Sequence, residues 1–140
     1  MVNIIIDYLG DLHCKVTHEP SGNYFLTDAP LDNNGKAEYI SPTDLVAASI
    51  GSCIATIMGI KANSNNIDIS GLKIVVSKEM INEPFRRISR LTINIYFKRN
   101  YSDKDRAILE NVIKTCPVTR SLLPEIEVVS KVYYNNENEI

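Results

Sequence analysis

Residues 41–62 read SPTDLVAASIGSCIATIMGIKA, and no side chain between positions 45 and 60 carries a charge. A helix that is apolar on every face has to be covered on every side, so this stretch dictates what must surround it. Its start is well marked. Ser41 suits the N-cap, Pro42 the first helical position, and Asp44 stands three residues on, as a capping-box variant requires. Lys61 closes the run. A comfortable membrane span needs about 20 apolar residues, so the expectation is a buried central helix in a soluble protein. One subunit of 140 residues offers limited cover for it. The run therefore also predicts a homodimer that buries this helix between subunits. Cys53 sits in its middle.

The rest of the chain alternates strands and turns around that helix. Residues 2–9 are rich in β-branched side chains and predict a first strand. Gly10-Asp11 turns the chain, residues 12–18 pair back, Ser21-Gly22 turns it again, and residues 24–27 form a third strand. Residues 28–36 carry Pro30, Asn33, Asn34 and Gly35 and predict a loop. After the helix, residues 67–80 predict a strand with a bulge near Gly71. Residues 82–84 turn, and Leu91, Ile93, Ile95 and Phe97 alternate with polar or amphipathic neighbours, the clearest half-buried strand in the sequence. Ser102 and Asp105 cap a second helix, with Ala107, Ile108, Val112 and Ile113 as its expected buried stripe. Cys116 precedes Pro117, which biases it out of the helical region. One further helical turn, a last strand over 126–134 and a polar, frayed tail from Asn135 complete the order βββ-α-ββ-α-β. Strands grouped in runs argue for an α+β fold, here as a single domain over residues 1–140.

Composition narrows the compartment and the partners. Hydrophobic residues make up 44%, charged ones 23%, and the net charge is −2. That balance is globular and gives no basic excess for nucleic acid or an anionic membrane surface. The N-terminus has no basic residue before its apolar run, which argues against a signal peptide and for a cytoplasmic protein. Three cysteines are too few and too separated for a disulfide scaffold.

Each cysteine has two readings. Cys53, among Ile50, Ile54 and Ile57, is either a small buried hydrophobe or a nucleophile. Cys116 is either a helix-end core residue or a thiol favoured as thiolate by a helical turn opening at Pro117, with Arg120 nearby. Cys14, His13 and His18 invite a metal reading, but on a strand Cys14 and His18 share one face and His13 the other, so no metal site is expected. The sequence has no CxxC motif, Gly-rich phosphate loop or GxSxG elbow.

Three segments carry a resemblance. TDAPLDNNGKAEYISPTDLVAASIGSCIATIMGI, KEMINEPFRRISRL and TCPVTRSLLPEIE resemble the OsmC-like proteins, which include osmotically induced protein C and the organic hydroperoxide resistance proteins. The resemblance runs over about residues 12–134. It implies an α+β intertwined homodimer, with a long buried central helix wrapped by antiparallel sheets and active sites at the subunit interface. It further implies a thiol-dependent peroxidase, with Cys53 at the peroxidatic position and Cys116 at the resolving one. The substrate would be a small organic hydroperoxide and the reductant a dithiol or lipoyl-type donor. No metal, haem or flavin cofactor is implied. Peroxidase members carry a Glu ten residues before the peroxidatic cysteine. Here that position is Thr43, with Asp44 beside it. They also carry an activating Arg, and no Arg precedes Arg86 in this chain. Asp44, Arg86 and Arg87 are therefore the candidates for tuning the thiolate, with Arg90 close by. Two further readings stand beside the peroxidase. One is a binding protein for an apolar or acyl ligand. The other is a redox sensor that uses the same thiols without turnover.

Overall fold

The computed structural model describes residues 1–135 of the chain. The expected frayed tail from Asn135 lies, beyond that first residue, outside the described residues. Two compact units are present, one over Met1–Val46 and one from Ala47 onward.

The first unit is a three-stranded antiparallel sheet, β1 (Ile4–Gly10), β2 (His13–His18) and β3 (Tyr24–Thr27), in that spatial order. Gly10, Asp11 and Leu12 all take positive φ between β1 and β2, which explains why a glycine opens this turn. After β3 comes a single 3₁₀ turn, Leu31–Asn33, in the expected loop. Asp28 ties that loop down: its Oδ2 accepts the backbone N–H groups of Lys36 (3.2 Å) and Glu38 (3.0 Å). The unit ends in the first turn of α1 (Pro42–Ser64). The expected capping box forms there. Asp44 N–H donates to Ser41 Oγ at 3.1 Å, and Ser41 N–H donates to Asp44 Oδ2 at 3.1 Å.

In the second unit, α1 accompanies a sheet of β4 (Lys73–Ile81), β5 (Arg87–Tyr96) and β6 (Glu127–Tyr133). β5 is central, and Ile88, Leu91, Ile93, Ile95 and Phe97 are buried, as the alternation predicts. α1 buries Ala47, Ile50, Gly51, Ile54, Met58 and Ala62, positions three or four apart that form one stripe. Gly51 faces the sheet so closely that a Cβ there would lie 3.0 Å from Val76 Cγ2. The rest of α1 is left uncovered by this one chain, and its cover is the part that a second subunit was expected to supply. Ser49, Ser52, Thr56 and Ile60 are exposed. At 23 residues α1 also runs past the charge-free stretch, and by length and composition alone it could cross a membrane.

Four expectations need correction. The sheets are not both antiparallel: β5 and β6 run parallel, Arg90 opposite Glu127 through Tyr96 opposite Tyr133. The reason is the connection. Two helices, α2 (Asp103–Thr115) and α3 (Pro117–Arg120), carry the chain back before β6 begins, which is the crossover that parallel strands require. The strand expected from residue 67 starts only at Lys73. Asp68 Oδ1 accepts the Ser70 N–H at 2.8 Å, and Gly71 has a φ of +79°, so this segment turns instead of pairing. The ladder irregularity of β4 falls at Glu79/Met80, not at Gly71. In α2 the buried residues are Leu109 and Val112, and Cys116 continues that stripe; Ala107 is exposed, with Ile108 and Ile113 half-buried.

Candidate functional site

Two elements bring two thiols together. Cys53 lies midway along α1, next to the buried Ile54, and keeps some solvent contact. Cys116 is wholly buried. It ends α2 and starts α3 with φ −59° and ψ 120°, the extended geometry that the following proline imposes. Its carbonyl accepts the Arg120 N–H at 3.2 Å, so the chain re-enters a helical turn at once. Both thiols are free, and they lie close enough for each to shift the other's ionisation.

The pair is electrostatically unequal. Burial pushes the Cys53 thiol up, and donation to the Cys116 sulfur holds its proton on further; the Val118 N–H acts against both. Burial would also push the Cys116 thiol up. That effect is outweighed by the Thr119 N–H, the Cys53 S–H, the Thr119 hydroxyl and the Val118 N–H, and the net shift is downward. Hydrogen bonds to a charged form favour that form. α3 gives Cys116 no formed side-chain cap; its N–H groups act as nearby dipoles. The Thr119 hydroxyl is buried and forms no hydrogen bond among the described residues, so it too acts on Cys116 only as a nearby dipole. Sequence reasoning missed Thr119. The signal was its place three residues past Cys116, where an N-cap atom meets the helix backbone.

The other candidates make contacts of their own. Asp44 is held by Ser41 in the α1 cap, with a 2.6 Å bond from Ser41 Oγ. Arg86 is exposed and donates to Asn82 Oδ1 at 3.3 Å. Arg87 is half-buried and donates to the Ile88 carbonyl at 3.2 Å. Both arginines thus engage the β4–β5 hairpin, as Arg90 does through Glu127 at 2.7 Å. Cys14 pairs with Tyr8 and Thr27 across β2 in the first unit. His13 there faces Glu38 at 3.2 Å and the buried Asp28 at 3.8 Å. A groove of about 1160 Å³ in the second unit is lined by Lys61, Lys104, Asn111 and Lys114 among others and includes neither cysteine. The thiols, not volume, mark the candidate site.

The family model described as OsmC-like protein matches residues 35–131, a span that includes both thiols. The chain belongs to the OsmC-like family. A solved Psychrobacter arcticus protein, provisionally described as an osmotic stress induced and detoxification response protein, is 43% identical, with 94% of this chain and 96% of that one covered and a TM-score of 0.88. An organic hydroperoxide resistance protein OsmC from Legionella pneumophila has 14% identity, coverages of 95% and 96% and a TM-score of 0.74. The organic hydroperoxide resistance protein OhrB of Bacillus subtilis has 15% identity, coverages of 94% and 97% and a TM-score of 0.71. At such identities these two share the OsmC-like fold with this chain. No curated protein matches the sequence.

Proposed function

We propose that this OsmC-like protein is a thiol-dependent peroxidase of small organic hydroperoxides, acting in oxidative stress defence in the cytoplasm as a homodimer. The observation that carries this reading is the pairing of two free thiols, one on α1 and one at the α2–α3 break, close enough for each to shift the other's ionisation. Cys53 is the peroxidatic residue and Cys116 the resolving one. The Cys53 thiolate attacks one peroxide oxygen. The O–O bond breaks, Cys53 becomes a sulfenic acid, and the alkoxide leaves and is protonated to an alcohol. Cys116 then displaces water from the sulfenic acid and closes a disulfide. A dithiol or lipoyl-type donor reduces that disulfide by exchange and is itself oxidised. No metal, haem or flavin enters this cycle.

The decisive experiment follows turnover of cumene and tert-butyl hydroperoxide with dihydrolipoamide, for the wild type and for Cys53→Ser. The wild type is expected to turn over and the variant to be inactive. Equal rates in both would reject the reading. Rapid disulfide formation without cycling would favour a redox sensor. A copurifying apolar or acyl ligand that Cys53→Ser retains, with no thiol chemistry in either protein, would favour a binding protein.

A further inference from the structure

We propose that the groove walled by α2, β6 and the C-terminal end of α1 is the docking surface for an acidic protein that carries the reducing dithiol. The inference rests on the peroxidase reading above and gives its last step, reduction of the Cys53–Cys116 disulfide, a place on the molecule.

Charge, size and position carry it. Lys61, Lys104 and Lys114 line the groove against one acidic side chain, Glu110. All three lysines are exposed, and none forms an ion pair among the described residues. The Glu110 carboxylate already accepts the Tyr134 hydroxyl at 2.6 Å. A chain of net charge −2 thus gathers an excess of positive charge on one surface, and such a surface speeds the approach of oppositely charged partners. The lining also holds Ile108, Ile113 and Val132, each half-buried. Apolar groups for contact beside charged groups for orientation are what a protein interface combines. At about 1160 Å³ the groove exceeds the roughly 300–1,000 Å³ of a small-ligand pocket, so an acidic polypeptide segment fits it better than a small anion. Its walls include both helices that carry the thiols. Lys114 stands two residues before Cys116, and Lys61 stands eight residues past Cys53 on α1, about 12 Å along the helix axis. A dithiol on a side-chain arm of a partner seated there has a short path to the pair.

The exchange balances. Cys53 keeps solvent contact and Cys116 has none, so the donor's first thiolate attacks the Cys53 sulfur. The Cys53–Cys116 bond breaks, and Cys116 leaves as a thiolate and takes up a proton. The donor's second thiol, deprotonated, attacks the donor sulfur of the mixed disulfide and expels Cys53, which is protonated in turn. The donor ends as a disulfide, having given up two electrons and two protons, and both cysteines end as thiols.

The test reads this reduction alone. The disulfide is formed with diamide, so the result does not depend on reactivity toward peroxide, and its loss is followed by rapid mixing, quenching and intact mass. Three donors are compared: dihydrolipoamide, a peptide with a central dihydrolipoyl-lysine flanked by glutamates, and the same peptide flanked by lysines. They are run against the wild type and two triple variants, Lys61→Glu/Lys104→Glu/Lys114→Glu and Lys61→Gln/Lys104→Gln/Lys114→Gln. At low salt the acidic peptide is expected to reduce the wild type at least about tenfold faster than the basic one, the low end of electrostatic steering. High salt should erase that preference, the Gln variant should lose most of it, and the Glu variant should invert it. Dihydrolipoamide should reduce all three proteins at one rate, which also shows the thiol pair intact. Equal rates for the two peptides on the wild type, or a preference that survives both sets of substitutions, would overturn the inference and leave the peroxidase reading standing. Variants slowed as strongly toward dihydrolipoamide as toward the acidic peptide would overturn it too. So would a changed assembly mass of the variants in light scattering, which gives the groove to a second copy of the chain. Failure of the wild type to turn over hydroperoxide is a separate result: it sinks the peroxidase reading, and the role assigned to the groove with it, whatever the peptides do.

Discussion

Asp28 is a carboxylate with almost no solvent contact, and its stability contribution depends on staying ionised. The Glu38 N–H is the main group that holds its pKa below the ordinary carboxylate range. Burial pushes the other way, and the Ala29 and Lys36 N–H groups and His13 add to the lowering. A carboxylate whose folded pKa is depressed stabilises the fold above its unfolded pKa of about 3.9. That contribution is lost as pH falls through the folded value. Asp28→Asn should therefore lower the denaturation midpoint at pH 7 and flatten the fall in stability between pH 5 and 2. An acid limb of unchanged slope in Asp28→Asn, measured by urea unfolding across that range, would assign the limb to other carboxylates. The same scale shows what a sequence can and does not display. The break at Cys116 was legible because proline restricts the residue immediately before it. The contact between Cys116 and Cys53 was not derivable from spacing. It is made by the α2–α3 crossover, a tertiary event to which neither cysteine's neighbours refer, and only the family resemblance pointed to it.

At the scale of elements, local signals were reliable and facing was not. Ser41 and Asp44 cap α1 as expected because both partners lie within one turn. β5 was read correctly because alternation with period two names its buried face outright. The charge-free run of α1 names no face. Ala, Gly, Ser and Ile occur all round it, so composition could not say which stripe this chain covers itself; it is the one from Ala47 to Ala62. The parallel pairing of β6 was missed because the strand pattern is the same for either direction; the connection decides. Two substitutions test this packing. Ile54 is wholly buried in the α1 stripe, and Ile54→Ala should cost about 2–5 kcal/mol of unfolding free energy. Gly51→Val introduces a branched side chain where even a Cβ would lie 3.0 Å from Val76 Cγ2. Overpacking of that kind costs about 1–3 kcal/mol, more than the helix gains by losing a glycine. Calorimetric midpoints at or above wild type for either variant would contradict the packing of α1 on β4.

At the scale of the whole molecule, each of the two units exposes large apolar side chains. Ile4, Ile6 and Tyr8 of β1 are 53%, 57% and 67% exposed, and Ile60 of α1 is 59% exposed. Single exposed apolar residues are ordinary, but contiguous runs mark interaction surfaces. The proposed homodimer would supply a cover of the right chemistry, because a second copy brings the same apolar faces. Ile60 separates the alternatives. On the open surface of a monomer, Ile60→Asp should change stability by no more than about 0.5 kcal/mol. Inside a dimer interface it buries an unpaired carboxylate, which costs far more than a surface change. Light scattering should give the wild type a mass twice the 15.7 kDa of one chain at micromolar concentration. Ile60→Asp should shift that mass toward the monomer and lower the melting temperature. A wild type that runs as a 15.7 kDa particle, or an Ile60→Asp variant with unaltered mass and melting, would place the exposed face of α1 outside any subunit contact.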